Sequence, residues 1–307
     1  MYILIRMKTW EFAKVNGSKI KISERLADAM GLVDGGFVYS TLFEYSDKGP
    51  KEYELILSMY PQENYRTLTH LTMYMQDVPG ATAQAARFLS ERSVNILNSI
   101  SLNAISDTVI IWKMLVDLSF TGEGDLIKES FKELKRDNDE RVSKLDLIET
   151  RPADIGRAFR IESAKNKTEV RRGAPTTIHD SVFDLDKEYH DLLSRFKNAS
   201  VMITADPSSW MISVTFFRKD VNLVQMNMEI PDCPGSIEQI VSFIAGQGVN
   251  LISVFSKIKI CYQSMSLEMV ADLNPSGKSF DQLKEAINKN IVNMNGVFEL
   301  KEYRKLE

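Results

Sequence analysis

Two stretches of this chain repeat one another at a fixed distance. Placing residue n beside residue n+155 aligns residues 71–118 with residues 226–273 without a gap. Identical residues recur in register: Asp77 and Asp232, Pro79 and Pro234, Gly80 and Gly235, Val94 and Val249, Asn95 and Asn250, Met114 and Met269, Asp117 and Asp272, and Leu118 and Leu273. Internal similarity of this length predicts two structural units of one kind within a single chain.

Each copy has the residue pattern of strand, helix, strand, strand, helix, strand. Alternating apolar residues in LTMYMQ and MNMEIP predict the first strand, and apolar residues three and four apart predict the helix after it. The middle strands are predicted at 94–104 and 108–118 in the first copy, and at 249–259 and 263–273 in the second. A charged helix and a last strand, KLDLIE or VFELKEY, follow. This order predicts an α+β fold of the ferredoxin-like βαββαβ type, an antiparallel sheet with both helices on one face.

The remaining sequence also falls into two parts. Helical patterns in ISERLADAM and LDKEYHDLLSRF are each followed by two strand-like stretches, which predicts two smaller α+β segments. Seven Lys or Arg residues against three acids in 151–173 predict an exposed linker. We therefore expect an accessory segment at 1–66, a first repeated domain at 67–150, a linker with a second accessory segment at 151–220 and a second repeated domain at 221–307.

Composition restricts the classes of partner. A net charge of -4 and a pI near 5.6 argue against a surface built mainly to bind nucleic acid or anionic lipid. No apolar stretch approaches the roughly 20 residues of a membrane span, and no signal peptide is evident, so a cytoplasmic protein is expected. Cys233 and Cys261 lack metal-ligand spacing and are expected in the core, and we predict no metal and no cofactor.

The sequence does not favour catalysis. It contains no phosphate-binding loop, dinucleotide fingerprint, nucleophile elbow or HExxH motif, and it has only three histidines. His179 and Asp180 are adjacent and form a candidate pair of base and orienting carboxylate, with a simple linker turn as the alternative. We predict that the protein has no catalytic residue.

The repeated Asp-x-Pro-Gly corner suggests a binding site. Proline suits the first turn of a helix, an aspartate just before it can cap the free amides, and glycine permits close approach of a ligand. Asn95 follows Asp77 by 18 residues, and Asn250 follows Asp232 by the same 18. Helix amides near the glycine and the polar asparagine side chain form a candidate site for the carboxylate and ammonium groups of an amino acid. The alternative is a good strand-to-helix turn followed by an asparagine that caps the next turn.

DVPGATAQAARFLSERSVNILNS and DCPGSIEQIVSFIAGQGVNLISV resemble the ACT domain family of ferredoxin-like regulatory modules that bind amino acids. The resemblance covers residues 68–150 and 223–305. It implies that domains associate side by side and hold ligands between the loop after the first strand and the start of the second strand. The residues implied are Asp77, Gly80, Ala81, Asn95 and Ile96 in the first copy, and Asp232, Gly235, Ser236, Asn250 and Leu251 in the second. Serine-binding members often have a histidine where this chain has Met75 and Ile230, so serine is not implied.

These inferences predict a non-catalytic regulatory protein. It would bind a small amino acid at ACT-domain interfaces and act on a partner enzyme through quaternary change. The two ACT units could pair within one chain or across two chains, and we expect a homodimer because ferredoxin-like sheets leave edges that need cover. The alternative is an amino-acid-responsive transcription regulator, because GSKIKISERLADAMGLVDGGFV faintly resembles AbrB-type swapped-hairpin domains. DNA binding is not favoured, because residues 1–66 carry no excess of basic residues.

Overall fold

The computed structural model describes residues 9–45, 52–61, 67–103, 109–122, 124–153, 167–185, 189–207, 210–217, 221–292 and 298–306. The described chain contains six α-helices: α1 (Glu24–Met30), α2 (Ala81–Ser90), α3 (Gly124–Arg136), α4 (His190–Leu193), α5 (Ser236–Gly246) and α6 (Phe280–Ile287). Its strands are β1 (Thr9–Lys14), β2 (Lys19–Lys21), β3 (Phe37–Tyr45), β4 (Glu52–Ser58), β5 (Leu68–Gln76), β6 (Asn95–Asn103), β7 (Val109–Asp117), β8 (Leu145–Pro152), β9 (Lys167–Arg172), β10 (Thr176–Thr177), β11 (Val182–Asp184), β12 (Ser200–Asp206), β13 (Met211–Phe216), β14 (Leu223–Pro231), β15 (Asn250–Ile260), β16 (Ser264–Asp272) and β17 (Glu299–Leu306). This composition confirms the predicted α+β class.

The chain divides into two compact units. The first contains Met1–Glu11, Lys19–His190 and Ile203–Thr215, and the second contains Phe12–Ser18, Asp191–Met202 and Phe216–Glu307. Each unit contains one four-stranded sheet with two helices. We call β5, α2, β6, β7, α3 and β8 repeat 1, and β14, α5, β15, β16, α6 and β17 repeat 2.

In repeat 1 the sheet order is β6-β7-β5-β8, and neighbouring strands are antiparallel. Alternate β5 residues Leu71, Met73 and Met75 are buried in one core with Phe88 of α2 and Phe131 of α3. Because successive strand side chains point to opposite faces, the intervening residues belong to the other face of the sheet. The observed middle strands agree with the predicted ones to within one residue at each end.

Repeat 2 has the same element order and the corresponding sheet order, β15-β16-β14-β17. Its β14 residues Val224, Met226 and Met228 are buried in a core with Ile240 of α5 and Leu283 of α6. Helix α6 begins after Ser279, whose hydroxyl accepts from the Gln282 amide while the Gln282 side chain accepts from the Ser279 amide. This capping box fixes the beginning of the helix at Phe280.

A larger sheet has the order β1-β12-β13-β4-β3-β10, with β9 also paired to β3. The expected exposed linker is therefore partly wrong: Lys167–Arg172 forms β9, and the Lys167 side chain is only 6% exposed. Its ammonium lies 3.3 Å from the Glu54 carboxylate and 4.1 Å from the centre of the Phe43 ring. A basic composition did not prevent burial, because a carboxylate and aromatic rings compensate the charge. The central part of that stretch, 154–166, lies outside the described residues.

The expected burial of both cysteines is wrong, because Cys233 and Cys261 are exposed free thiols. Each lies in a turn at the end of a repeat 2 strand and not within the alternating buried positions of that strand. Among the described helices, none has the length and apolar character that crossing a membrane requires.

Candidate functional site

The first Asp-x-Pro-Gly corner connects β5 to α2. Gly80 is the N-cap of α2, with φ at 86° and no side-chain capping hydrogen bond, and the first helical residue, Ala81, is buried. The predicted place of Pro79 in the first turn is therefore wrong, since the helix begins after the glycine, while the cap by Asp77 stays a prediction. Lys144 reaches this corner from the segment before β8, and its ammonium donates to the Pro79 carbonyl at 2.8 Å.

A second set of contacts supports the same corner. The Gln84 side chain accepts from the Lys144 amide at 2.8 Å and donates to the Glu140 carbonyl at 2.6 Å. Asp139 precedes this turn, and hydrogen bonds from Arg141 lower the pKa of the Asp139 carboxyl to about 2. The segment before β8 thus fixes the beginning of α2.

The second corner connects β14 to α5. It has the same backbone conformation as the first corner, but its side chains make different hydrogen bonds. Gly235 is the N-cap with φ at 92°, again with no side-chain capping hydrogen bond. The predicted helix cap by Asp232 is wrong, because its carboxylate accepts from the Tyr262 amide at 2.7 Å in the β15–β16 turn. Ser236, which follows the glycine, is 5% exposed, and its hydroxyl lies 3.1 Å from the Cys233 sulfur.

The two asparagines begin the second strand of each repeat, far along the sheet from the corners. Asn95 of β6 lies opposite Asp117, which lies opposite Leu68 at the beginning of β5. The corner follows Gln76 at the other end of β5, eight residues later, and each strand residue spans about 3.3 Å. Asn250 is likewise opposite Asp272, which pairs with Leu223 at the beginning of β14. Within one repeat, therefore, the corner and the asparagine do not come together, contrary to the expected single polar pocket.

The other predicted site residues differ in burial. Asn95 and Asn250 are exposed, whereas Ile96 and Leu251 are partly buried and pack against the helix-side cores. Met75 and Ile230 are both fully buried. Ala81 and Ser236 are the buried members of the predicted set, so their side chains offer almost no surface to a ligand.

A cavity of about 720 Å³ lies on the face of the repeat 1 sheet that does not carry the helices. His70, Lys113 and Arg151 contribute to its floor, and Pro207 and Trp210, from the segment between β12 and β13, also line it. These residues were not predicted from the sequence, because they come from separate segments of the chain. One difference between the repeats could have indicated them: the repeat alignment places Lys113 opposite Glu268, so the charge at this position changes sign.

The described residues contain no obvious metal or catalytic constellation. No group of three or more His, Cys, Asp or Glu side chains that could hold a metal ion occurs among them. The ring of His179 lies 3.6 Å from Asp34, and the Asp180 amide donates to the same Asp34 carboxylate at 2.8 Å. His179 is 68% exposed, so this contact forms an open surface turn and not an enclosed catalytic pair.

No family model matches the chain, and no curated protein matches it. The solved structures that match include a candidate glycine cleavage system transcriptional repressor, 13% identical with a TM-score of 0.25, over 78% of this chain and 97% of the other. An unknown protein from Galdieria sulphuraria is 11% identical with a TM-score of 0.24, over 78% and 99% of the two chains. The acetolactate synthase small subunit from Thermotoga maritima is 8% identical with a TM-score of 0.21, over 78% and 92%. At these TM-scores the matches carry no argument, and the functional inference rests on the chain's own residues.

Proposed function

We propose that the chain is a non-catalytic regulatory protein with two ferredoxin-like ACT domains that arose by duplication and bind a small amino acid where such domains meet. The observation that carries the proposal is the corner present in both repeats, a left-handed glycine that begins a helix without a side-chain cap. The same element order and sheet order in both repeats support a common ACT origin.

The two halves of the candidate site have complementary chemistry. Helix α2 has ten residues and α5 has eleven, and the first amides of each helix have no side-chain acceptor at the N-cap. Such amides favour an anion, which in an amino acid is the α-carboxylate. The oxygen of an asparagine side chain is a suitable acceptor for the α-ammonium group.

Because the corner and the asparagine lie at opposite ends of each sheet, a site that uses both requires two domains. Two sheets that pair antiparallel through β6 or β15 would bring the corner of one domain toward the asparagine of the other. Both strands are at sheet edges, and β15 exposes Val254, Ile258 and Ile260. We propose that two copies of the chain pair in this way as a homodimer, and that ligand occupancy changes this pairing and thereby a partner enzyme.

A thermal-shift screen of the twenty amino acids tests the proposal. A ligand at 100 times its dissociation constant stabilises the protein by about 2.7 kcal/mol, which is a clear rise in Tm. We expect one or a few amino acids to raise Tm, and we expect Asn95→Ala or Asn250→Ala to reduce that rise.

Asn290→Ala is the matched control, because Asn290 is an exposed asparagine in the helical turn after α6, where its side-chain amide donates to the Ala286 carbonyl. It should leave the ligand-induced rise unchanged. The proposal is wrong if no amino acid raises Tm, or if both asparagine variants respond like the unmodified protein.

A further inference from the structure

The cavity of repeat 1 is formed within the first unit and is separate from both corners. Its floor consists of two adjacent rows of side chains that cross the four strands of the sheet. The register gives the first row as Asn98, Leu115, His70 and Arg151, and the second as Ile100, Lys113, Thr72 and Glu149. Its volume of about 720 Å³ is within the range of small-molecule sites.

Repeat 2 has the same two rows, with different chemistry. Its first row is Ser253, Val270, Gln225 and Arg304, and its second is Phe255, Glu268, Asn227 and Glu302. The Gln225 side chain donates to Glu268 at 2.7 Å and accepts from Arg304 at 2.7 Å. Arg304 also lies 3.4 Å from Glu302. The arginine of repeat 2 is therefore paired with the Glu302 carboxylate and linked to the Glu268 carboxylate through Gln225.

The corresponding arginine of repeat 1 lacks this arrangement. Arg151 occupies the place of Arg304, but Lys113 replaces Glu268, so the sheet carries a second cation where repeat 2 carries the carboxylate. Neither Arg151 nor Lys113 forms an ion pair with any residue in the described part of the chain. Glu149, the remaining carboxylate of the two rows, accepts from the Tyr74 hydroxyl at 3.1 Å. Arg151 and Lys113 thus face the cavity together with a third cation, Lys128, which pairs with Asp125 at 3.2 Å. Two cations without such a pair favour a ligand that brings its own anionic group.

An aromatic side chain lines the cavity beside these cations. Trp210 is partly buried, and its ring centre lies 6.3 Å from that of Tyr60. Its backbone has φ at 54°, a conformation uncommon for a bulky residue and frequent at ligand-binding positions. Ile100 and Leu115 add apolar surface to the floor. An indole ring and two aliphatic side chains favour a flat apolar body in the ligand.

We propose that this cavity binds a small aromatic carboxylate, with its carboxylate between Arg151 and Lys113 and its ring against Trp210. Arginine binds carboxylates in a planar, two-point arrangement, and the lysine supplies a second charge-assisted hydrogen bond. This site does not depend on pairing of ACT domains, so it can exist whether or not the corners bind an amino acid.

Isothermal titration calorimetry with three probes tests the assignment: 3-phenylpropionate, its neutral amide 3-phenylpropionamide, and inorganic phosphate. We expect 3-phenylpropionate to bind at least about tenfold more tightly than the amide or phosphate, because loss of a charge-assisted hydrogen bond costs about that factor. Lys113→Gln and Arg151→Gln should each weaken 3-phenylpropionate binding about tenfold. The double variant His70→Gln/Lys113→Glu, which installs the residues of repeat 2, should abolish it.

The controls separate this site from the corners and from loss of folding. Lys132→Gln removes an exposed lysine of α3 and should bind 3-phenylpropionate normally. Asn95→Ala and Asn250→Ala should also bind it normally, even if they abolish the amino-acid response. Each variant is checked for an unchanged circular dichroism spectrum and melting transition. Equal binding of acid and amide, tighter binding of phosphate, or unchanged affinity in folded Lys113→Gln and Arg151→Gln would overturn the proposal.

Discussion

Repeats 1 and 2 have one topology but two different outer faces. On the helix side the repeats agree: Met114 and Met269 occupy the same core position. Asp117 and Asp272 each accept from the amide two residues later, at 2.9 and 3.0 Å. On the other face, repeat 1 packs apolar residues against the larger sheet and has a cavity, whereas repeat 2 has a ladder of polar side chains. The two repeats agree in residues that form the fold, and they differ on the face that does not carry the helices.

The two corners likewise share their backbone form and differ in their side-chain contacts. Both glycines have the left-handed backbone, but Lys144 supports the first corner and the Asp232 carboxylate links the second to the β15–β16 turn. The backbone of the candidate amino-acid site is therefore common to both repeats, and its side-chain surroundings are not. Differences in affinity between the two sites would follow from these surroundings.

The largest effect is expected where repeat 1 packs against the larger sheet. Leu115 is 4% exposed and belongs to a cluster with Phe43, Ile56 and Met211. Leu115→Ala should lower the free energy of unfolding by about 2–5 kcal/mol, because it removes buried methyl groups and leaves a cavity. Urea denaturation measures this loss. Leu126→Ala, at a position that is 52% exposed, is the control and should change stability by less than about 0.5 kcal/mol. A loss below 1 kcal/mol for Leu115→Ala would mean that this packing does not stabilise the fold.

The polar ladder of repeat 2 predicts the next effect. Gln225 is 3% exposed and joins Arg304 to Glu268, so Gln225→Ala removes both hydrogen bonds. We expect a loss of about 1–3 kcal/mol in urea denaturation, because two hydrogen bonds to charged groups are lost. Gln239→Ala, on the exposed face of α5, should be nearly neutral. If Glu268→Gln costs as much in the Gln225→Ala background as it does alone, the two side chains are not coupled.

The two corners should respond differently to one substitution. Ala at Gly80 or Gly235 must adopt a left-handed backbone, at a cost of about 1–2 kcal/mol. Gly80→Ala should cost more, because its added carbon would lie 3.1 Å from the Lys144 ammonium, whereas nothing lies within 4 Å at Gly235. Gly246→Ala, within α5 and with open space around it, should instead stabilise by about 0.5–1 kcal/mol. Equal losses at both corners in thermal melts would show that Lys144 has no part in the difference.

The smallest effect at neutral pH is expected for Tyr60, beside Trp210. Burial is the larger cause and the charge of the nearby Asp117 carboxylate the smaller one that together raise the pKa of Tyr60 to about 12. Between about pH 10 and 12 the unfolded tyrosine loses its proton before the folded one, so this residue makes stability fall as pH rises. Tyr60→Phe should therefore melt like the unmodified protein at pH 7. Between pH 10 and 12 the variant should lose less stability than the unmodified protein loses. An identical alkaline decline in both proteins would contradict the raised pKa.

The sequence predicted the strands and helices of the repeats well, because their inward residues follow the periods of strand and helix. Leu71, Met73 and Met75 alternate as a half-buried strand requires, and the same alternation recurs 155 residues later. Less local features were missed. Burial of Lys167 depends on Glu54, more than a hundred residues away in sequence, and the cavity depends on Trp210 lying over a distant sheet. Both corners were predicted as turns, but the predicted helix cap by Asp232 was wrong. An aspartate can accept from any nearby amide, and the amide that Asp232 binds is that of Tyr262.

The central claim is that each amino-acid site requires a corner from one domain and an asparagine from a domain of a second copy. Sedimentation velocity over a range of protein concentrations, with and without the amino acid that raises Tm most, tests this claim directly. We predict a homodimer whose dissociation constant changes when the ligand is added, by the factor that linkage requires. In Asn95→Ala/Asn250→Ala the dissociation constant should no longer depend on the ligand. A protein that stays monomeric at every concentration while it binds the amino acid with undiminished affinity would contradict it.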